Sequence, residues 1–491
     1  MRDGQLLADY EAVKPLRRAE PDAGEVAASV EGDALPAEGV RAARRGREPK
    51  AARPSKLSAD SWIAKRGHLV TYAGLFLFTA FVFFRPYELV SLPGLDYGAE
   101  VLAIFTLLAY IPSQLTIEGN LTARPREVTL ALLLLLAALL SVPTAIAPAE
   151  AWDHFVEFGK VILIFVVAVN VTRTERRLRG LILLVLAASV ILSVSALNDY
   201  VAGRFALRGE RLKGLLGGLF DNPNDLALHL VTMIPLAVGL AFARRGPLPK
   251  IVYLGCAALF TAGVVVSFSR GGFLGLVASV AVLAWKLGRK RRFVVGALML
   301  VALAVFVAAA PADYGLRLTS MFGGDVTGSA SQRQELFWRS VWVALRYPLT
   351  GIGLGCFYYR GAHDQVTHNA YTEVAAEMGL AALVVYILLM VSPIRRLREV
   401  ERETLQRKER ASFYYLAVGI QASIVGYMVC SFFASVAHLW YVYYLVAYGV
   451  SLRRIYALKE GEAGLSPEEK QKGAPAEVAH AEAPADGLTT L

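Results

Sequence analysis

A chain of 491 residues that is 55% hydrophobic and 19% charged, with a mean hydropathy of +0.46, is too apolar for a soluble globule and falls in the membrane class. Its net charge of +10 is spread over short clusters between apolar runs, not gathered on a folded basic surface with interleaved aromatics, so no nucleic-acid partner is expected. Three cysteines, Cys256, Cys356 and Cys430, are an odd number without metal-ligand spacing, and two lie in apolar stretches, which argues against a disulfide framework.

Residues 1–67 are rich in Ala, Arg, Glu, Gly and Pro with few aromatics, cannot bury enough surface to offset the entropy of ordering, and are expected to be a disordered cytoplasmic tail. No cleavable signal peptide is expected, because the first long apolar run begins only near Leu69. Apolar runs then occupy 69–84, 98–115, 128–147, 155–171, 180–197, 226–243, 250–268, 272–287, 293–310, 372–392, 413–434 and 437–456. The expected fold is all-α, a polytopic membrane domain over 68–458 with about twelve transmembrane helices in a lipid bilayer. Residues 459–491, with Pro467, Pro475 and Pro484 among Gly, Glu and Ala, read as a second disordered cytoplasmic tail.

Orientation follows from the basic residues of the short loops. Loops 116–127, 172–179, 244–250, 286–292 and 394–410 alternate along the chain and are all basic, which puts them and both termini in the cytoplasm. The other side then holds two long loops, 198–225 and 311–371, and long ordered loops usually carry function.

Those outer loops break the charge pattern. Arg204, Arg208, Arg211 and Lys213 lie in the first, Arg317, Arg333, Arg339, Arg346 and Arg360 in the second, and Arg270 stands in Ser-Phe-Ser-Arg-Gly-Gly at a helix junction. Long translocated loops are exempt from the charge rule, so a solvated arginine there has an ordinary explanation. Arg270 has less of one, because a charge at membrane depth tends to mark a site. Even-numbered helices start on the outer side, and three of their starts are polar: Asp221 to Asp225, Ser269 to Gly272, and Thr367-His368-Asn369. Helix N-termini together with arginines make an anion site. Capping by Asn222 with Pro223 at the first helical position, and close packing by Gly271 and Gly272, explain part of the same pattern.

His368 is the strongest candidate for chemistry, since an imidazole suits a general base and this one sits where the large loop re-enters the membrane. Glu373 and Glu377 follow at i, i+4 on the face that begins with Asn369, and the outer arginines are their expected partners. Residues 332–347 read as an amphipathic surface helix with a stripe of Trp338, Val341, Trp342 and Leu345. Tyr358, Tyr359 and Tyr371 are placed for sugar contact or as interfacial tyrosines.

Over roughly residues 215–390 this order of motifs resembles the O-antigen ligase and polymerase superfamily of bacterial envelope glycan enzymes. The resemblance is carried by Asn222-Pro223-Asn224, Ser269-Arg270-Gly271-Gly272, Arg333 before an aromatic helix, Pro348-Leu349-Thr350-Gly351-Ile352-Gly353, and His368-Asn369 followed after nine residues by Gly379. The ligase pattern continues to a Gly, Thr or Tyr where this chain has Ala382. The resemblance implies an inner-membrane enzyme, without cofactor or metal, that moves a glycan from an undecaprenyl-pyrophosphate-linked donor to an acceptor hydroxyl on the periplasmic side. The acceptor would be a glycan, lipid A-core or a protein. Carried over, Arg270 and Arg333, joined by Arg208 and Arg211, would hold the pyrophosphate; His368 would activate the acceptor or support the leaving group; Asn369, Glu373, Glu377, Asn222 and Asn224 would support them. No Asp-x-Asp or clustered His and Asp box interrupts that expectation. Within the same chemistry a polymerase remains open, with Arg317 and Gly328 at a polymerase-like spacing, as does protein O-glycosylation. From another class, a polytopic transporter or flippase also fits twelve helices, although two related halves are not evident.

Overall fold

The computed structural model describes residues 68–89, 94–203, 222–288, 328–360 and 365–463. The first tail, the ninth apolar run at 293–310, and Arg204, Arg208, Arg211, Lys213 and Arg317 lie outside the described residues, as does the chain beyond 463. Among the described residues the regular structure is helical. The principal helices are α1 (Leu69–Phe84), α2 (Gly98–Glu118), α3 (Arg126–Ser141), α4 (Pro148–Val171), α5 (Glu175–Val201), α6 (Pro223–Ala243), α7 (Pro247–Val266), α8 (Arg270–Leu287), α9 (Gly328–Arg346), α10 (Ala370–Met378), α11 (Leu380–Thr404), α12 (Ala411–Cys430) and α13 (Trp440–Ala463).

Eight of these are long and apolar enough to cross a membrane: α2, α4 to α8, α11 and α12 extended to Phe433. The α1 helix is apolar but has only 16 residues, so it rises about 24 Å against a hydrocarbon core of about 30 Å. The tenth run, expected as one helix over 372–392, is two. Gly379 separates α10 from α11 at φ 91° and ψ 169°, and the Leu349 carbonyl oxygen lies 2.3 Å from where a Cβ would stand, so only glycine fits this break. At the other end of the chain α13 runs on through Ala463, past the expected boundary at 459. Lys459 pairs with Glu175, and Arg407 reaches Glu460 at 2.8 Å, which gives the last turns a reason to stay helical.

The centre of the bundle is α6, packed against α7, α8 and α12 and buried along most of its length. Small residues set its contact with α12: a Cβ on Gly239 would stand 2.8 Å from the Tyr415 carbonyl oxygen, and one on Gly419 2.7 Å from that of Pro235. Without side chains between them the two backbones approach closely, and dispersion over that contact replaces the hydrophobic drive that lipid cannot supply. At the ends of the bundle opposite the starts of α6 and α8, ion pairs gather: Arg173 and Arg454 both hold Glu118, at 2.6 and 2.8 Å, and Lys286 pairs with Glu401.

Candidate functional site

Three helix starts build the site. Asn222 caps α6, its Oδ1 accepting the Asn224 amide at 2.9 Å with Pro223 at the first helical position, as the Asp-Asn-Pro-Asn sequence predicts. Ser269 caps α8 by accepting the Gly272 amide at 3.1 Å, and its hydroxyl donates to Asn224 Oδ1 at 2.9 Å. One serine thus ties the first turns of α6 and α8 together and sets Arg270 at the first position of α8. The two glycines after it serve packing: a Cβ on Gly271 would lie 2.7 Å from Phe433 and one on Gly272 2.5 Å from Ala227. Asn369 caps α10, its Oδ1 accepting the amides of Tyr371 and Thr372 at 2.9 and 3.0 Å.

His368 precedes that cap in the left-handed region, at φ 52°, a conformation a non-glycine residue holds only when its surroundings fix it. Ser435, in the turn between α12 and α13, does the fixing. Its hydroxyl oxygen accepts the His368 amide at 3.0 Å and lies 3.0 Å from the Thr367 hydroxyl. Burial, and then the Arg333 guanidinium, push the His368 imidazole down to about 4, so it is neutral and able to take a proton at neutral pH. Arg333 on α9 is itself disfavoured as a cation, first by burial and then by Arg270. Arg270 therefore lies within electrostatic range of Arg333, and Arg333 within range of His368. No acidic side chain forms an ion pair with either arginine among the described residues. Two guanidinium groups without a carboxylate partner among the described residues, one of them at the capped start of α8, favour an anion with several oxygens.

The two carboxylates behave otherwise than expected. Neither Glu373 nor Glu377 pairs with an arginine among the described residues. Glu377 accepts backbone amides instead, from Gly355 at 2.9 Å and from Phe357 at 3.2 Å. The Pro348 to Gly353 motif explains why: Ile352 and Gly353 donate their amides to the carbonyls of Ala376 and Glu377, each at 3.0 Å, and Leu380 donates to Pro348 at 2.9 Å. Gly351, at φ 67°, lies so close that a Cβ would stand 2.3 Å from the Glu377 carbonyl carbon. This loop braces the end of α10, and amide hydrogen bonds neutralise in part what a salt bridge was expected to neutralise.

The aromatic stripe of the expected surface helix points away from the protein. Trp338, Trp342 and Leu345 are exposed, while Leu336, Ser340 and Val343 on the opposite side are buried. Tyr371 is committed to the core through its hydroxyl to the Met428 carbonyl at 2.7 Å, and Tyr359 donates to Glu150, so of the three tyrosines Tyr358 and Tyr359 are the ones at the surface. Two residues near the site were not anticipated, Ser435 and His438. The only signal for them is that two polar residues, Ser435 and His438, stand where the apolar run 413–434 gives way to 437–456.

Residues 255–387 match the family model for O-antigen ligase, a segment that contains Arg270, Arg333, His368, Asn369, Glu373 and Glu377 and covers roughly a quarter of the chain. The match supports placing the protein in the O-antigen ligase and polymerase superfamily, whose members are membrane glycan transferases. No curated protein matches the chain.

Proposed function

We propose that the protein is a glycan transferase of the bacterial inner membrane, which moves a glycan from undecaprenyl pyrophosphate to an acceptor hydroxyl, a glycan, lipid A-core or a protein, at the periplasmic face. The reading is supported by the action of Arg270 on Arg333 and of Arg333 on His368, from two helices and a loop, inside the segment matched by the family model. A pyrophosphate leaving group gains negative charge as the glycosidic bond breaks, and guanidinium groups already in place stabilise that charge without reorganising. The neutral imidazole of His368 takes the proton from the acceptor hydroxyl as it attacks the anomeric carbon. In this assignment the arginines, not a metal, hold the diphosphate. Arg208 and Arg211 are proposed to join them from the first outer loop. Asn369 and Ser435 hold His368 in place, Asn222 and Asn224 position the start of α6 beside Arg270, and Glu377 braces α10.

The basic loops favour a cytoplasmic location for the ends that carry Arg173 and Lys286, which leaves the Arg270 end facing outward. Purified protein supplied with a lipid-linked glycan and an acceptor should release undecaprenyl pyrophosphate with no ion gradient. Movement of the donor across a vesicle wall without bond change would replace the transferase reading with a transporter. In cells that lack the gene, long chains on the carrier lipid would identify a ligase, and single repeat units a polymerase.

A further inference from the structure

Glu373, Glu377 and His438 place one ligand atom each within 4.8 Å of one another. The i, i+4 spacing puts both carboxylates on one face of α10, and the imidazole comes from the turn before α13. The Glu373 carboxyl interacts with the Ser435 hydroxyl and the Ala437 amide, yet one of its oxygens and one nitrogen of His438 stay unpartnered among the described residues. Glu373 Oε2 and His438 Nε2 are both occluded from solvent and lack a hydrogen-bond partner, and Glu373 as a whole is only 9% exposed. Such atoms are rare in folded proteins, and a cation held among the three side chains would offer both of them a partner. Glu377 is already oriented by the Gly355 and Phe357 amides, as carboxylate ligands of metals commonly are, and each of its oxygens keeps a free lone pair. The His438 ring is held edge-on against Phe158, with centroids 5.1 Å apart.

We propose that Glu373, Glu377 and His438 bind one divalent transition-metal ion that pins α10 to the start of α13. A tetrahedral ion with bonds of roughly 2.0–2.2 Å keeps its donors roughly 3.3–3.6 Å apart, so side-chain rotation suffices to close the cluster. Two carboxylates and an imidazole suit zinc or manganese better than calcium or magnesium, which prefer oxygen alone. The ion's role is structural. It fixes the helix that begins at the His368–Asn369 cap, and its ligands include neither arginine, so the proposal holds whether or not the protein transfers glycans.

The test uses full-length protein purified without a histidine tag, stripped with chelator and then titrated with zinc chloride and, separately, manganese chloride. Elemental analysis after gel filtration should find a single ion per chain, and the thermal midpoint should rise by several degrees, because an ion that binds only the folded state stabilises it. Glu373→Gln and His438→Ala should each lose both effects. X-ray absorption on the loaded wild-type protein should show oxygen and nitrogen ligation with one imidazole, a reading that stands even if the variants fail to accumulate. Wild-type protein that takes up neither metal, or a spectrum without imidazole, would overturn the proposal in favour of a proton shared among the three groups. Variants that bind as well as wild type would overturn it too.

Discussion

The Ser435 hydroxyl accepts the backbone amide of His368 at 3.0 Å, and with it holds that residue in a left-handed conformation 67 positions away in sequence. An imidazole that must meet an acceptor hydroxyl needs its backbone fixed to within a fraction of an ångström. Ser435→Ala removes the only side-chain acceptor of this amide among the described residues. Turnover should fall by about tenfold to a hundredfold, as for a misplacement of about 1 Å, while Ser435→Thr, which keeps the hydroxyl, should recover most of it. Equal losses in the two variants would assign Ser435 to packing alone.

Arg270→Ala and His368→Ala should each abolish measurable transfer while membrane insertion and abundance stay at wild-type levels. Loss of a preorganised charge-stabilising group lowers turnover by about 10²–10³-fold, and loss of a general base by about 10²–10⁴-fold. Quantitative immunoblots of membranes alongside a transfer assay separate the two roles. Protein that disappears instead of losing activity would make these residues structural.

The pH dependence follows from the same pair of groups. Burial and the charge of Arg333 both disfavour the imidazolium, so His368 stays neutral down to about pH 4 instead of protonating near 6.5. The acid limb of kcat/KM should therefore lie well below 6.5. Removing a nearby cation makes protonation easier, so the residual activity of Arg333→Gln should lose its acid-side rate at a higher pH than wild type. The shift should be partial, because burial is the larger cause and remains. A limb that does not move would separate Arg333 from His368.

Gly379→Ala tests the break between α10 and α11. Alanine at φ 91° is strained by about 1–3 kcal/mol, and its Cβ would stand 2.3 Å from the Leu349 carbonyl oxygen. Abundance and thermal midpoint should both drop. Gly255→Ala, where nothing lies within 4 Å of an added Cβ, should be neutral and serves as the control.

Local chemistry was legible in the sequence wherever cause and effect lie within one turn of helix. Asn222 with Pro223 announces a cap, and Ser269 before Arg270 announces another. What reached across the fold was not. Glu373 and Glu377 carry no mark that distinguishes an arginine partner from the backbone amides of Gly355 and Phe357, since both satisfy a carboxylate and the choice is made by how the 348–353 loop folds back. The split at Gly379 was hidden because the apolar residues continue past it, and composition is blind to a single backbone angle. His438 joins the two carboxylates only through the packing of α13, some 60 residues after α10, a distance over which spacing rules say nothing.

The Lys286–Glu401 pair offers a test of stability remote from chemistry. The side chains are 13% and 3% exposed, and Gln421 bridges them, accepting from Lys286 and donating to Glu401 at 3.1 Å each. Lys286 stands sixteen positions after Arg270 on α8, about 24 Å along the axis. Lys286→Met takes the cation from a buried carboxylate that keeps Gln421, and should destabilise the protein by about 1–3 kcal/mol. Replacing Glu401 with Leu in the same chain removes the carboxylate that lost its cation, so the double variant should recover part of the lost thermal midpoint, a non-additivity that a double-mutant cycle measures directly. Transfer per folded molecule should be unchanged in all of them, because nothing at the Arg270 end has been touched. Additive losses would show that the pair contributes no coupling, and that Gln421 and the surrounding helices hold this end without it.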